Sequence, residues 1–287
     1  HPTDLFTYIA DKVKLLLKDP SIDFKKIRVE SEREAMQKAK SRFEGETTID
    51  EIYSILGEKL GIATDTAERI KQIEVNTEYS LLYRRETGYN AFLEAKNYGK
   101  RIIITSDMYL PASFLAEVLS KNGYVGYENI FVSSTYKMKK STGKLYKFII
   151  NKLNVAPQKI LHIGDNLEAD IIRAKEVGLH AFHLPKAFQQ FKENKNGMYA
   201  QVWARDESRH SESWKLMLGI IGNRLHDNPY LPHRRGTIFD GVAERLGYAG
   251  FGPLLLGFSK WLCEQSCKRK VDRLYFLSRD GKIMKEA

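Results

Sequence analysis

Cysteine is scarce in this chain, at two in 287 residues. Cys263 and Cys267 lie four apart with no histidine beside them. That spacing fits one face of a helix and predicts reduced core thiols rather than a disulfide or a metal site. It points to a reducing, cytoplasmic compartment. Long apolar runs are also missing. The longest, Phe251–Cys263, is too short to cross a membrane and is broken by Lys260. No secretory leader is visible. No glycine-rich phosphate loop occurs, and no nucleic-acid module. Acidic residues are in deficit, with a net charge of +10. Lysine and arginine alternate with glutamate, as in Lys25–Arg42, so the excess predicts a solvated surface and no nucleic-acid partner. Lys137–Lys144 and Lys268–Lys270 are the local candidates for anion contacts.

What is present is the composition of a globular protein, 43% hydrophobic and 29% charged, long enough for one large domain or two ordinary ones. Residues 1–98 carry helical periodicity throughout. Leu5, Ile9, Val13, Leu16 and Leu17 share one face of a helix from Thr3 to about Lys18. A second helix covers Asp23–Lys40. Thr48 and Glu51 have the spacing of a capping box for a helix that Gly61 ends, and another helix runs from Thr64 to about Tyr83. Residues 99–185 alternate strand and helix, with strands at 101–105, 129–132, 160–163 and 180–183. Such alternation predicts parallel strands and an α/β, Rossmann-like sheet. Residues 186–271 return to helices, with Trp203, Trp214 and Trp261 as packing anchors and His210, His226 and His233 on the surface. Residues 272–287 open with an apolar run, Arg273–Ser278, that predicts the start of a second, truncated α/β unit.

Chemistry concentrates in three places. Lys159–Asp170 is a short strand, a Gly-Asp turn and a helix, with Asp165 and Asp170 five residues apart. A strand ending in Gly-Asp delivers a carboxylate to the sheet edge where ligands of open α/β sheets bind. Oxygen donors there suit Mg2+. The plainer alternative is that Asp165 and Asn166 only cap the helix. Upstream, Lys100–Pro111 is an apolar strand ending at Ser106-Asp107. Between the two, Lys140 stands before a helix.

In that order the three stretches resemble the haloacid dehalogenase (HAD) superfamily. Ser106 matches the family's second motif, Lys140 its third, and Gly164-Asp165-x4-Asp170 its fourth. The likeness covers roughly residues 1–185. It implies a HAD-like core at 99–185, a helical cap at 1–98 and a helical extension at 186–271. It also implies a phosphohydrolase that forms an aspartyl-phosphate on a phosphorylated small molecule. Ser106, Lys140 and Asp165 would be catalytic, Ser106, Asp107 and Lys140 would hold phosphate, and Asp165 and Asp170 would hold Mg2+. The match departs from the family in two ways. Lys140-Ser-Thr-Gly lacks the usual prolines. The nucleophile motif, Asp-x-Asp-x-Thr/Val, does not occur, so the nucleophile is expected upstream of His1. The alternative is a non-catalytic HAD-like binding or regulatory module. A receiver domain also orders Asp, Ser/Thr and Lys on a parallel sheet, but has no Gly-Asp-x4-Asp after its lysine. The Ser-Asp-Met-Tyr-Leu-Pro stretch and long extension resemble HAD-like proteins of bacterial surface-polysaccharide synthesis. Neither substrate identity nor oligomeric state follows from the sequence.

Overall fold

A computed structural model describes residues 3–17, 19, 21–43, 45–193, 212–230, 239, 241–277 and 281–286. The chain divides into two compact units, His1–Pro185 and Lys186–Ala287.

The first unit opens with helices α1 (Asp4–Lys14), α2 (Phe24–Phe43), α3 (Ile49–Leu60), α4 (Thr64–Leu81) and α5 (Glu86–Asn97). The capping box at α3 forms in full. Thr48 Oγ1 accepts from Glu51 N–H, and Glu51 accepts from Thr48 N–H. Gly61 ends the helix at φ 60°, a conformation that favours glycine. Phe6, Ile9 and Val13 of α1, Tyr53 and Leu56 of α3 and Ile70 of α4 are buried together. The same cluster includes Leu110, Phe114 and Val118 from the α/β part. Each such side chain contributes about 1.5–3 kcal/mol on burial. The helical layer and the α/β layer therefore share one core.

The α/β layer follows as β1 (Ile103–Ser106), α6 (Ala112–Lys121), β2 (Asn129–Val132), α7 (Ser133–Tyr136), α8 (Lys144–Leu153), β3 (Leu161–Gly164), a widened π-helical turn (Leu167–Ile172), α9 (Arg173–Glu176) and β4 (His180–His183). All strand pairing is parallel. β1 runs beside β2, with Ser106 opposite Val132. β3 runs beside β4, with Gly164 opposite His183. The α/β layer thus holds two parallel ladders, and among the described residues no strand pairs with the second edge of β1 or of β3. Helix α8 spans them. Leu145 and Ile149 bury against Phe131 and Ile103, while Tyr146 packs on His162 and buries with Ala174 and Leu179. Leu161 is 60% exposed and Ile163 41%, unusual for strands of an α/β layer, which are ordinarily covered on both faces.

The second unit is helical at Ala187–Glu193, Glu212–Leu225, Ala243–Leu246, Gly252–Lys268 and Gly281–Glu286. Several expectations change here. His226 is buried and meets Phe191 edge-on, so it is a packing residue and not a surface one. Cys263 and Cys267 are free as expected but exposed, and Trp261 is 52% exposed, because the helix that carries them buries little besides Ser259. Trp214 does pack, against Phe191 and Leu218. Arg273–Leu277 forms no strand, since no neighbouring strand pairs with it. Trp203, His210, His233 and Ser278–Asp280 lie outside the described residues.

Candidate active site

Parallel strands place their C-terminal ends on one edge, and each of the first unit's two ladders delivers a motif there. Ser106 ends β1 and is half-buried; Asp107 follows it, exposed. Gly164 ends β3, and Asp165 follows it, half-buried.

Lys140 joins the two. Its backbone N–H lies 3.1 Å from both carboxylate oxygens of Asp107. Its Nζ donates to Asp170 Oδ1 at 2.6 Å. One residue thus ties the β1 loop to the β3 turn through opposite ends of its own structure. The segment before it is held as well. Met108 N–H donates to Ser133 Oγ at 3.1 Å.

Asp170 is the most engaged acid. It is 2% exposed. Besides Lys140, His162 Nε2 stands 3.1 Å from Oδ1, and Asn166 N–H donates to Oδ2 at 3.0 Å. A carboxylate only accepts, so Nε2 carries the hydrogen in this contact. Burial pushes the Asp170 carboxyl up. The bond from His162, the Lys140 charge and the Asn166 amide outweigh it and hold the group well below the usual carboxylate range. The widened turn makes this geometry. Asp170 N–H donates to Asn166 O at 2.8 Å and Ala169 N–H to Asn166 Oδ1 at 2.9 Å. A Cβ at Gly164 would run into the Asp170 carboxylate, so only glycine lets the strand end approach it.

Asp107 behaves differently. The residue is exposed overall, but the protein around its carboxylate takes water from it and raises its pKa, against the Lys140 charge and the Lys140 and Ser141 amides, and Asp170 adds to the rise. Because its oxygens face those amides, Asp107 shapes the lysine loop.

The expected site residues are therefore in one linked neighbourhood. Ser106 adjoins Asp107, Asp107 and Asp170 both hold Lys140, and Asp165 adjoins Asn166. Sequence reasoning missed His162, whose only signal was a polar residue inside an apolar strand. It missed Tyr146, whose hydroxyl donates to Ala169 O at 2.9 Å. It also missed Glu46, 7% exposed, which forms a 3.4 Å ion pair with Lys139 and a hydrogen bond with Ser133. Burial raises the Glu46 pKa against those two partners. Lys137 meets Glu51 at 3.7 Å. Lys137 and Lys139 of the basic run are thus paired with acids of the helical layer.

The sequence pattern of one hydrolase family, the haloacid dehalogenase-like hydrolases, matches residues 4–178. The chain belongs to this family. Solved structures of similar fold include a haloacid dehalogenase-like hydrolase from Xanthomonas campestris, 14% identical, TM-score 0.45, covering 63% of this chain and 75% of that one. The HAD-hydrolase YfnB from Bacillus subtilis, bound to magnesium, is 18% identical, TM-score 0.42, covering 63% and 82%. The L-2-haloacid dehalogenase from Xanthobacter autotrophicus is 11% identical, TM-score 0.43, covering 73% and 85%. No curated protein matches the chain.

Members of this family commonly use Mg2+. Among the described residues no three His, Cys, Asp or Glu side chains converge as a complete ligand set. The donor chemistry still suits Mg2+, which takes one or two carboxylates and fills its shell with water and substrate oxygen. Asp165 and Asp170 are the carboxylates that the Gly164–Asp170 turn offers for this.

Proposed function

We propose that this chain carries the site of a Mg2+-dependent phosphohydrolase acting on a phosphorylated small molecule through an aspartyl-phosphate. The observation that carries the proposal is Lys140. Its amine is fixed by a buried carboxylate and its amide by a second one, at an edge where two strand ends bring Ser106 and Asp165. A fixed ammonium there offsets charge on a transferring phosphoryl group. Ser106 Oγ donates to a phosphate oxygen. Asp165 holds the cation, which when bound offsets charge on phosphate and nucleophile. Asp170 and His162 keep Lys140 oriented.

The nucleophile in this scheme is a carboxylate on a strand inserted between β1 and β3, each of which has one edge unpaired among the described residues. Carboxylate attack divides hydrolysis into two easier displacements. Given short βα loops, that strand would lie within about 20 residues upstream of His1. A phosphorylated small-molecule substrate fits a cytoplasmic enzyme of this kind.

The test is hydrolysis of an aryl phosphate. Residues 1–287 alone should show no turnover. The chain preceded by its own strand ending in Asp-x-Asp should turn over with Mg2+ and not without it. In that protein Asp165→Asn should weaken Mg2+ binding and lower kcat, and Lys140→Ala should lower kcat by about 100-fold, within the range of a lost transition-state charge partner. Turnover by residues 1–287 would move the nucleophile elsewhere. A strand-bearing protein that binds inorganic phosphate and hydrolyses nothing would favour the second reading, a non-catalytic binding or regulatory module. That reading rests on one observation: among the described residues no strand, and so no strand-borne aspartate, pairs with the open edges of β1 and β3.

A further inference from the structure

The helical layer contains a buried charged cluster that the chemistry above does not use. Arg28 of α2 and Glu74 of α4 are both 0% exposed. They meet side-on through two bonds, Nε to Oε2 at 2.8 Å and Nη2 to Oε1 at 2.7 Å. Tyr53 of α3 donates to the same carboxylate at 2.7 Å. A buried pair of this kind adds little net stability over an apolar substitute, because desolvation offsets the attraction. What it does provide is direction. A bidentate guanidinium–carboxylate pair holds both planes in one orientation.

That orientation is passed to one residue of the active-site loop. Tyr109 lies three residues after Ser106 and two after Asp107. Its ring lies under the Arg28 guanidinium, 5.2 Å from carbon to ring centre. Its hydroxyl is 3.5 Å from Glu74 Oε1, at the outer limit of a hydrogen bond. Its carbonyl accepts the first amide of α3, Ile49 N–H, at 3.0 Å. The ring also packs against both apolar clusters of the helical layer. On its other side the loop is held by the Met108–Ser133 bond and by Asp107 on the Lys140 amide.

We propose that Tyr109 is a positioning residue for the reaction at this site: seated on the Arg28–Glu74 pair, it fixes the Ser106–Asp107 turn, so that the helical layer forms part of the active-site frame. The proposal rests on the phosphohydrolase reading. The ring face and the backbone carbonyl carry the effect; the long hydroxyl contact adds little.

The test uses two variants. Tyr109→Phe keeps the ring under Arg28, and Tyr109→Leu removes it while retaining apolar bulk. In the 287-residue chain, hydrogen exchange at the Met108 and Ile49 amides should quicken at least tenfold in Tyr109→Leu. It should stay within about threefold of wild type in Tyr109→Phe, and amides in the middle of α4 should quicken at least threefold less than those two in Tyr109→Leu. In the strand-bearing enzyme, Tyr109→Leu should lower kcat at least tenfold with KM within threefold, and Tyr109→Phe should restore it. Unchanged exchange at Met108 and Ile49 in Tyr109→Leu would overturn the proposal. So would uniformly faster exchange across the first unit, or an unchanged kcat. If the strand-bearing protein hydrolyses no phosphate ester, the phosphohydrolase reading fails. The exchange result alone then decides whether Tyr109 fixes the turn.

Discussion

At the scale of single residues, two carboxylates in this fold are driven in opposite directions. Asp170 is held low by His162, Lys140 and the Asn166 amide, against its burial. Glu78 has no comparable donor. Burial and then the neighbouring Glu74 raise it from 4.5 to about 7, with Arg28 only partly opposing. The signs of the stability effects differ accordingly. Asp170 contributes stability above the unfolded carboxylate pKa and loses it as the pH falls. Glu78 keeps its proton in the folded state between pH 4.5 and about 7, where the unfolded chain has already released it. Its contribution is complete below that window and lost as the pH rises through it. Urea unfolding from pH 4.5 to 7.5 should therefore show a fall on the order of 2–3 kcal/mol attributable to this group. Glu78→Gln should remove that part of the slope. A variant with the wild-type slope would show that Glu78 is not the proton holder.

At the scale of elements, the β3–turn–helix unit is the most constrained. Gly164→Ala should force the Asp170 carboxylate aside and so release Lys140. The expected cost is about 3 kcal/mol, that of breaking a buried ion pair. Far-ultraviolet circular dichroism of the native variant should be unchanged, since the strand and helix remain. A stability within 0.5 kcal/mol of wild type, by denaturant unfolding, would contradict the close approach. Helix α3 makes a smaller test. Thr48→Ala removes one partner of the capping box and should cost about 1 kcal/mol, while Glu51 remains able to meet Lys137.

At the scale of the whole molecule, the shared core decides how residues 1–185 behave. Leu110 belongs to the α/β part by sequence, yet it is 1% exposed inside the cluster built by α1, α3 and α4. Leu110→Ala should cost about 2–5 kcal/mol. Hydrogen exchange in α1, α4 and β1 should accelerate together, because one core implies one cooperative transition. Faster exchange confined to β1 and α6 would mean that the helical layer holds itself together independently. The second unit has its own, smaller cluster around Phe191 and Leu218.

Much of this was present in the sequence as local pattern. Thr48, Glu51 and Gly61 set the start and end of α3 because caps and left-handed glycine depend on a few neighbouring residues. The strand–helix alternation from Ile103 to His183 predicted parallel pairing, since crossovers of that length permit little else. Strand ends at Ser106 and Gly164 followed from the same pattern, within a residue or two. Other features depended on contacts distant in sequence. Lys140 reaches Asp170 across 30 residues and Arg28 reaches Glu74 across 46, and no periodicity records such a pair. His226 read as polar surface and is buried; the two cysteines read as core and are exposed. Burial depends on which faces meet, and a single helix does not contain that information. Local pattern was enough for the elements and for the order of the motif residues along the chain. Which acid holds Lys140, and the core that the helical layer shares with the α/β layer, were set by contacts between distant residues. Those outcomes come from side chains meeting across the fold, where solvent exclusion makes charge pairing strong and the choice of partner is a matter of geometry.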